Sequence, residues 1–335
     1  MRKVKIILAW IAVSLILQCS VLFFLDKFYF KDNTDVSMEK VVIGSQQKKE
    51  IIHVNIPSDA KDIKVSYDGK YISYYMGFIL NVCDTDSGEV KQLETINSGN
   101  ILKSVWLEDR NMLLTLEVED NQIILCNYNP EKNVNEKIVD ICRYSKAYKT
   151  FNIKASTITG VTYVRVGNMI YRIDINQTAA VRVPTVVRNI GEVGLIPTKD
   201  RLVYMANNGS IIHVTQPNER IAINTSGKLK ILGIDEEGIL YLGEIIDNKV
   251  HKIIKKDLDN VESKSQKVQL KEPVDAKDIF IDGTGTIFIN NNLNKTITNI
   301  GTGSQVKYEG KFLSFYNNGI SSIVNGRYYK TQYPK

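Results

Sequence analysis

The sequence predicts an all-β fold built from repeated four-stranded units and preceded by a single apolar helix. Three observations lead to this prediction. Short runs of β-branched and aromatic residues are separated by Gly, Asn and Asp roughly every eight to twelve residues. Similar groups of runs recur with a longer period of about 40 residues, which is typical of stacked supersecondary units. Before them stands one long stretch without a charged side chain.

The uncharged stretch, Ile6–Leu25, is long enough to cross a bilayer, since a spanning helix needs about 20 apolar residues. Arg2, Lys3 and Lys5 precede it, and basic residues are retained on the cytoplasmic side of a membrane. We therefore expect a single-pass signal anchor in the cell membrane, with the folded part outside. The predicted segments are a cytoplasmic tail (1–5), a transmembrane helix (6–25), a linker (26–48) and an extracytoplasmic domain (49–335).

Three other interpretations of the N-terminal stretch fit less well. A cleaved secretory signal needs a small-residue cleavage site, but Leu22–Leu25 continue the apolar run where that site should lie. A lipoprotein signal needs a small residue before its cysteine, and Cys19 follows Gln18. A buried helix of a globular domain needs a polar face, which Ser14, Gln18 and Ser20 hardly provide. A retained anchor is the favoured interpretation.

The net charge of +6 does not indicate a nucleic-acid partner once it is divided by compartment. Three of the 43 basic residues precede the span, whereas all 37 acidic residues follow it. The outer part thus has 40 basic and 37 acidic residues, a net charge of +3. Without a basic block, this composition excludes a surface that tracks phosphates.

The cysteines are expected to be free thiols. Cys19 lies in the span, and an odd number remains outside: Cys83, Cys126 and Cys142. Cys83 and Cys126 occupy matching places in successive repeats, where neighbouring positions usually lie beyond the Cα separation of about 7 Å that a disulfide allows.

The clearest repeat covers residues 62–96 and reads as four strands: DIKVSYDG, KYISYYMG, FILNVCDTDSG and EVKQLETI. Asp68 and Gly69 suit the tight first turn, and Gly88 permits a positive φ in a longer one. Further copies begin at Ile101 and near Phe151, Glu192, Lys228 and Lys277, and a partial copy of three strands begins at Lys311. This period predicts a β-propeller of about seven four-stranded blades, with six as the fallback.

The last copy lacks a fourth strand, and Lys49–Pro57 is a spare strand upstream of the first full copy. We therefore predict that the N-terminal strand joins the C-terminal blade and closes the ring. Closure would tie the two ends of the domain together and protect its sheet edges. A tandem of β-sandwiches is the alternative architecture.

The repeat resembles those of known propeller families. The segments SYDGKYISYY and NVCDTDSGEVKQL, within Val65–Leu93, are similar to TolB-like and WD40-like repeats and to the propeller of dipeptidyl-peptidase IV relatives. The similarity is weaker at Trp106–Asp109 and Ile281–Gly283. The resemblance implies a binding module of the cell envelope, as in TolB-like proteins, and the Lys, Ile and Asn content suggests a bacterium. In the peptidase relatives the propeller gates a hydrolase domain, for which this chain has no room.

No motif in the sequence indicates an enzyme or a cofactor site. The G-x-S-x-G and H-E-x-x-H patterns are missing, and Gly301–Ser304 lacks the lysine and helix of a phosphate-binding loop. Asp84–Gly88 resembles the start of a calcium loop, but Thr95 stands where a bidentate glutamate is needed. Three isolated histidines also lack metal-binding spacing: His53, His213 and His251.

An envelope glycan hydrolase or lyase, with carboxylates at the channel mouth, is the alternative function. Its candidate residues end the first strands of several repeats: Asp68, Asp109, Asp200, Asp235 and Asp282. Paired carboxylates can act as acid and base when their environments separate their pKa values. The same aspartates are also what tight turns require, which favours a structural role.

One loop interleaves cations with aromatic residues and is the candidate partner-binding segment. Its residues are Arg143, Tyr144, Lys146, Tyr148 and Lys149. Such side chains can stack on sugar rings or contact an acidic partner, although an ordinary connection between blades explains them as well. The sequence thus predicts a membrane-anchored extracytoplasmic propeller that binds a protein, a peptide or an envelope glycan as a scaffold or sensor.

Overall fold

The computed structural model describes residues 5, 10, 14–15, 17–23 and 54–333, except 177–178, 208, 261 and 318. The chain divides into two units, residues 1–49 and 50–335. All described residues of the first unit are helical. Half of the predicted transmembrane helix (6–25), the whole linker (26–48) and the first residues of the predicted closing strand (49–53) lie outside the described residues. Within the described residues, no helix has both the length and the apolar character needed to cross a membrane.

The second unit is a seven-bladed β-propeller, which confirms the predicted fold and blade number. Each of the first six blades is an antiparallel meander whose four strands follow one another in the sheet as they do in the chain. Blades 1 to 3 contain β1 (Lys61–Val65), β2 (Tyr71–Met76), β3 (Ile79–Asp84), β4 (Val90–Gln92), β5 (Ile101–Trp106), β6 (Leu113–Glu119), β7 (Gln122–Asn129), β8 (Val134–Arg143), β9 (Phe151–Ser156), β10 (Val161–Val166), β11 (Met169–Asp174) and β12 (Val181–Val183).

The remaining blades repeat this arrangement, with three strands in the last one. Blades 4 to 7 contain β13 (Ile190–Leu195), β14 (Leu202–Ala206), β15 (Ile211–Val214), β16 (Glu219–Ala222), β17 (Lys228–Ile234), β18 (Ile239–Ile246), β19 (Lys249–Asp257), β20 (Gln266–Val274), β21 (Ile279–Ile281), β22 (Ile287–Asn291), β23 (Thr296–Asn299), β24 (Gln305–Lys307), β25 (Lys311–Tyr316), β26 (Gly319–Val324) and β27 (Arg327–Gln332). Two short 3-10 helices precede blades 2 and 6: Ile96–Ser98 and Ala276–Asp278.

The hydrophobic core lies between neighbouring blades. Second and third strands carry apolar side chains on both faces, so residues such as Leu116, Leu125 and Val164 are fully buried. Burial of each such side chain stabilises the folded state by about 1.5–3 kcal/mol. Seven clusters of buried residues form the core, one at each junction around the ring. At the first junction, Trp106 donates its Nε1 hydrogen to Ser73 Oγ at 3.0 Å, which joins blades 2 and 1.

The turns follow the chemistry that the sequence predicted. Asp68 Oδ1 accepts the Lys70 N–H at 2.7 Å, and Gly69 takes a φ of +77°, a conformation that favours glycine. Asp84 accepts two backbone N–H groups of its own loop, from Asp86 and Ser87, at 2.8 and 3.0 Å. The Asp84–Gly88 segment is therefore a turn between third and fourth strands, as predicted.

The predicted closure by an N-terminal strand is confirmed at its described residues. Asn55 pairs with Arg327 in an antiparallel bridge on the outer strand of blade 7. Ile56 N–H donates to Gly326 O at 2.9 Å, and Tyr328 N–H donates to Val54 O at 3.2 Å. Gly326 has a φ of +83°, and a side chain there would collide with Asn55 Oδ1. Residues 54–56 thus supply the fourth strand that blade 7 lacks.

The cysteines of the propeller are free thiols, as predicted. Cys83 and Cys126 are buried, and Cys142 is partly buried. Burial raises the pKa of Cys83 to about 11 and also raises the pKa of Cys126. Because the thiolate is the reactive form, both thiols are held in an unreactive state at neutral pH.

Candidate functional site

The meander topology gives the propeller two faces with different loops. Each blade begins at the end where the preceding one finished, so the connections between blades share a face with the turns between second and third strands. We call this the inter-blade face, and the other one, with the remaining turns, the opposite face. The connections of the inter-blade face are residues 57–60, 93–100, 144–150, 184–189, 223–227, 275–278 and 308–310.

A buried glutamate anchors one of these connections. Glu244 of β18, with its side chain only 4% exposed, accepts hydrogen bonds from Thr225 Oγ1 at 2.5 Å and from Ser226 N at 3.0 Å. Lys252 Nζ lies 2.7 Å from Glu244 Oε2. The hydrogen bond from Lys252, followed by that from Thr225, lowers the pKa of Glu244 to about 2. The connection between blades 4 and 5 is thus fixed by an ionised carboxylate.

Glu117 of β6 anchors the connection between blades 1 and 2 by hydrogen bonds. Its side chain is fully buried and accepts the Ile96 N–H at 3.0 Å. Thr115 Oγ1 and Asn135 Nδ2 donate to the other carboxylate oxygen at 2.7 and 2.9 Å. A buried carboxylate held by several donors fixes the geometry of the loop that it binds.

Arg165 of β10 is a third buried anchor. It donates to the backbone oxygens of Gly167, in its own blade, and of Ile190 and Gly191, in the first strand of blade 4. Burial lowers the pKa of Arg165. Blades 3 and 4 are therefore held in register at the inter-blade face.

These anchors were not predicted from the sequence, although a signal was present. Glu117 and Glu244 each interrupt an apolar run, LLTLEVE and ILYLGEII, near the end of a second strand. A charge within a buried strand requires partners, because an unpaired buried charge is very unfavourable. The sequence does not show which loop supplies those partners.

The inter-blade face also presents large apolar side chains to solvent. Phe78, in the second-to-third turn of blade 1, and Leu293, in that of blade 6, are each 94% exposed. Val186, in the connection between blades 3 and 4, is 77% exposed. Aromatic and aliphatic side chains presented on rigid loops are typical of protein interaction surfaces.

The predicted cation–aromatic loop lies on this face, between blades 2 and 3. Tyr144 and Tyr148 are partly buried against the core of that junction. Arg143, Lys146 and Lys149 are exposed. The tyrosine rings therefore pack against the blades, and the cations are the groups that the loop offers to a partner.

The predicted carboxylates lie on the opposite face and are bound within the fold. Asp200 accepts the Tyr163 hydroxyl at 2.7 Å and forms an ion pair with Arg172 at 2.7 Å. This contact joins blade 4 to blade 3. Asp235, 4% exposed, accepts the Tyr241 hydroxyl at 2.9 Å.

The other three predicted carboxylates are similarly engaged. Asp68 accepts from Asn111 Nδ2 at 2.9 Å, and Asp282 is bonded within its own turn. Asp109 is paired with Arg110, whose hydrogen bonds lower the pKa of Asp109. No group of three or more His, Cys, Asp or Glu side chains that could hold a metal ion occurs among the described residues.

We predict that Asp200→Asn lowers the free energy of unfolding by about 1–2 kcal/mol and leaves partner capture unchanged. The amide keeps one acceptor for Tyr163 but loses the charge that pairs with Arg172. Thermal unfolding and partner capture are the two measurements. Asp86→Asn, at an exposed turn position on the same face, is the matched control and should change neither. Loss of activity on cell-wall material in Asp200→Asn, at unchanged stability, would contradict the structural role.

Comparison with known proteins supports the fold alone. No family model matches the chain, and no curated protein does. Among solved structures, the chain is similar to the β-propeller domain of Cps50 (Swd1) from Myceliophteria thermophila, with a TM-score of 0.51, 14% identity and coverage of 83% of this chain and 98% of that one. A chain of a mitotic checkpoint complex has a TM-score of 0.52, 11% identity and coverage of 89% and 97%. YCF48 bound to D1 peptide has a TM-score of 0.51, 14% identity and coverage of 83% and 94%.

These similarities support the WD40-like part of the predicted resemblance as a statement about architecture. The TolB-like and dipeptidyl-peptidase IV parts stay predictions.

Proposed function

We propose that this chain is a membrane-anchored extracytoplasmic β-propeller that binds a polypeptide partner on its inter-blade face. The observation that carries the proposal is the construction of that face. Its connections are fixed by buried groups such as Glu117 and Glu244, while Phe78 and Leu293 are fully presented to solvent. Rigid loops reduce the entropy lost on association, and exposed apolar side chains in the turns of the same face add apolar area that a partner can bury.

Two solved propellers of similar architecture support a polypeptide as the ligand. One is YCF48, solved with D1 peptide bound, and the other belongs to a mitotic checkpoint complex. Propellers with little sequence identity to this chain thus occur in complexes with peptides or proteins. We extend that role to this chain.

The proposed membrane location is supported by the sequence. Ile6–Leu25 contains no charged residue, and the basic residues before it favour a cytoplasmic N-terminus. We also propose a non-enzymatic role, which is supported by the engagement of Asp200 and Asp235 in structural contacts.

Site-specific photo-crosslinking in living cells tests the proposal. A photoreactive amino acid is placed in the full-length protein at Phe78 or Lys146 on the inter-blade face. Ile158 and Ile175 are matched controls, because they are exposed apolar residues on the opposite face. We expect the first two positions to capture the same polypeptide reproducibly and the controls to capture none. Equal capture from both faces, or none from either, would overturn the proposed site.

A further inference from the structure

A groove of about 810 Å³ lies between the outer part of blade 5 and blade 6. Its volume is within the range of ligand sites, about 300–1,000 Å³. One side is formed by β20, the last strand of blade 5, and the other by the second-to-third turn and the outer strands of blade 6. The predicted site residues do not include any of its members.

The blade 5 side of the groove is formed by a bulge. In β20, Gln269 pairs with Lys252 and Val274 pairs with Val250, so four residues of β20 stand opposite the single residue His251. Gln269 Nε2 donates to His251 O at 3.0 Å and so joins a side chain of β20 to the backbone of β19 beside the bulge. Bulges redirect side chains and are frequent beside functional sites. Here the bulge places residues 271–273 along the groove.

The blade 6 side combines polar side chains with three apolar ones, Ile289, Leu293 and Ile300. Asn291 Oδ1 accepts the N–H groups of Leu293 and Asn294, both at 3.0 Å, and fixes the turn. Leu293 projects from this turn almost fully exposed. Further along the same side, Gln305 and Lys307 of β24 line the groove.

The groove contains a nearly buried carboxylate, Asp278, which is not paired with any of the three lysines that line the groove: Lys249, Lys271 and Lys307. Asp278 is 5% exposed, and its Oδ1 accepts from Asn290 Nδ2 and Asn292 Nδ2, both at 2.9 Å. Asn290 in turn accepts the Tyr308 hydroxyl at 2.8 Å. Within the described part of the chain, no lysine or arginine is paired with Asp278, and its Oδ2 has no hydrogen-bond partner.

A carboxylate that is largely removed from water and lacks a counter-charge can form a charge-assisted hydrogen bond with a cation that a ligand supplies. The exposed amide of Asn294 can bond to a polypeptide backbone, and Leu293 can pack against an adjacent side chain. No aromatic side chain occurs among the described residues that line the groove, so it lacks a surface on which a sugar ring could stack.

We infer that this groove binds an extended polypeptide segment and that Asp278 pairs there with a lysine or arginine side chain of that segment. The inference rests on the proposed polypeptide-binding function and specifies the chemistry of the partner. It also assigns Asp278 as the residue that selects for a basic side chain.

Binding of two peptide pools to the full-length protein in detergent micelles tests the inference. Both pools contain short randomised peptides with a photoreactive group. The central residue is Lys or Arg in one pool and Gln in the other. We expect the basic pool to bind about tenfold more tightly, because a charge-assisted hydrogen bond is lost in the other. Its crosslinks should map to residues 269–275 and 291–307.

The Asp278→Asn variant is the decisive comparison, because it keeps the acceptor for Asn290 and Asn292 and removes the charge. It should reduce binding of the basic pool about tenfold and leave the Gln pool unchanged. Asp247→Asn, on an exposed turn of blade 5 outside the groove, should bind both pools like the unmodified protein.

Equal binding of the two pools, no binding of either, or unchanged binding by Asp278→Asn would overturn the inference. If a photoreactive residue at Phe78 still captured a polypeptide in cells, the proposed function would remain supported. If it captured none, both the proposed function and the inference about the groove would be overturned.

Discussion

Replacing both Val54 and Ile56 with alanine is expected to lower the free energy of unfolding of the propeller by about 3–6 kcal/mol. The two side chains are only 1% and 4% exposed and lie in the cluster that joins blades 7 and 1. A domain of this kind is stable by about 5–15 kcal/mol, so the variant would lose much of its stability. Thermal and denaturant unfolding of the full-length protein in detergent measures the effect.

The matched control is Val134→Ala with Ile138→Ala, which changes the same residue types on the outer strand of blade 2. These side chains are 40% and 45% exposed, so the free energy of unfolding should fall by no more than about 1 kcal/mol. Equal stability of the two double variants would show that the closing strand does not stabilise the ring. Hydrogen exchange should become faster in blades 7 and 1 before the other blades, because their junction loses the buried side chains.

The expected loss of stability in the Val54 and Ile56 variant is large because the closing strand connects the N-terminal and C-terminal ends of the domain. Tyr328 donates its backbone N–H to Val54 and packs in the same cluster as Ile72 of blade 1. Residues far apart in sequence are therefore joined at one junction. Without that junction, blade 7 would present an unpaired strand edge, which favours association with other chains.

The repeat architecture was predictable because it depends on local chemistry. Asp68 and Gly69 specify a tight turn within a few residues, and the alternation of apolar and polar residues specifies the strands beside it. Each repeat of about 40 residues contains four predicted strands, but the last one contains only three. The strand at Lys49–Pro57 precedes the first repeat and belongs to none of the others. Closure could therefore be predicted without any knowledge of tertiary contacts.

The candidate sites depend on contacts between distant residues and could not be predicted in the same way. Asp278 precedes the short strand β21, and nothing in its neighbourhood shows that Asn290 and Asn292 will bind it. The bulge of β20 could not be predicted either, because the register shift beside Lys252 depends on how two strands pair. Conversely, the aspartates predicted as carboxylate candidates could be identified from the sequence, because a tight turn is specified by residues that are neighbours in the chain.

Replacing Glu244 with glutamine is expected to destabilise the propeller by about 3 kcal/mol at neutral pH. The carboxylate has a folded-state pKa of about 2 against an ordinary value of 4.5, chiefly because of its hydrogen bond with Lys252. That difference corresponds to the stated free energy. The amide preserves the size of the side chain, so the loss reports on charge and hydrogen bonding to Thr225 and Ser226 instead of on packing.

The pH dependence separates this electrostatic contribution from a general loss of structure. A group whose pKa is depressed on folding stabilises the fold above its unfolded pKa, and the contribution disappears as the pH falls toward the folded value. The stability gap between the unmodified protein and Glu244→Gln should therefore be complete at neutral pH and close between about pH 4.5 and pH 2. Glu237→Gln, at an exposed turn of the same blade, should show no such gap. A gap that persists unchanged at pH 2 would mean that the glutamine disturbs packing, and the anchoring of the blade 4–5 connection would then not depend on the charge of Glu244.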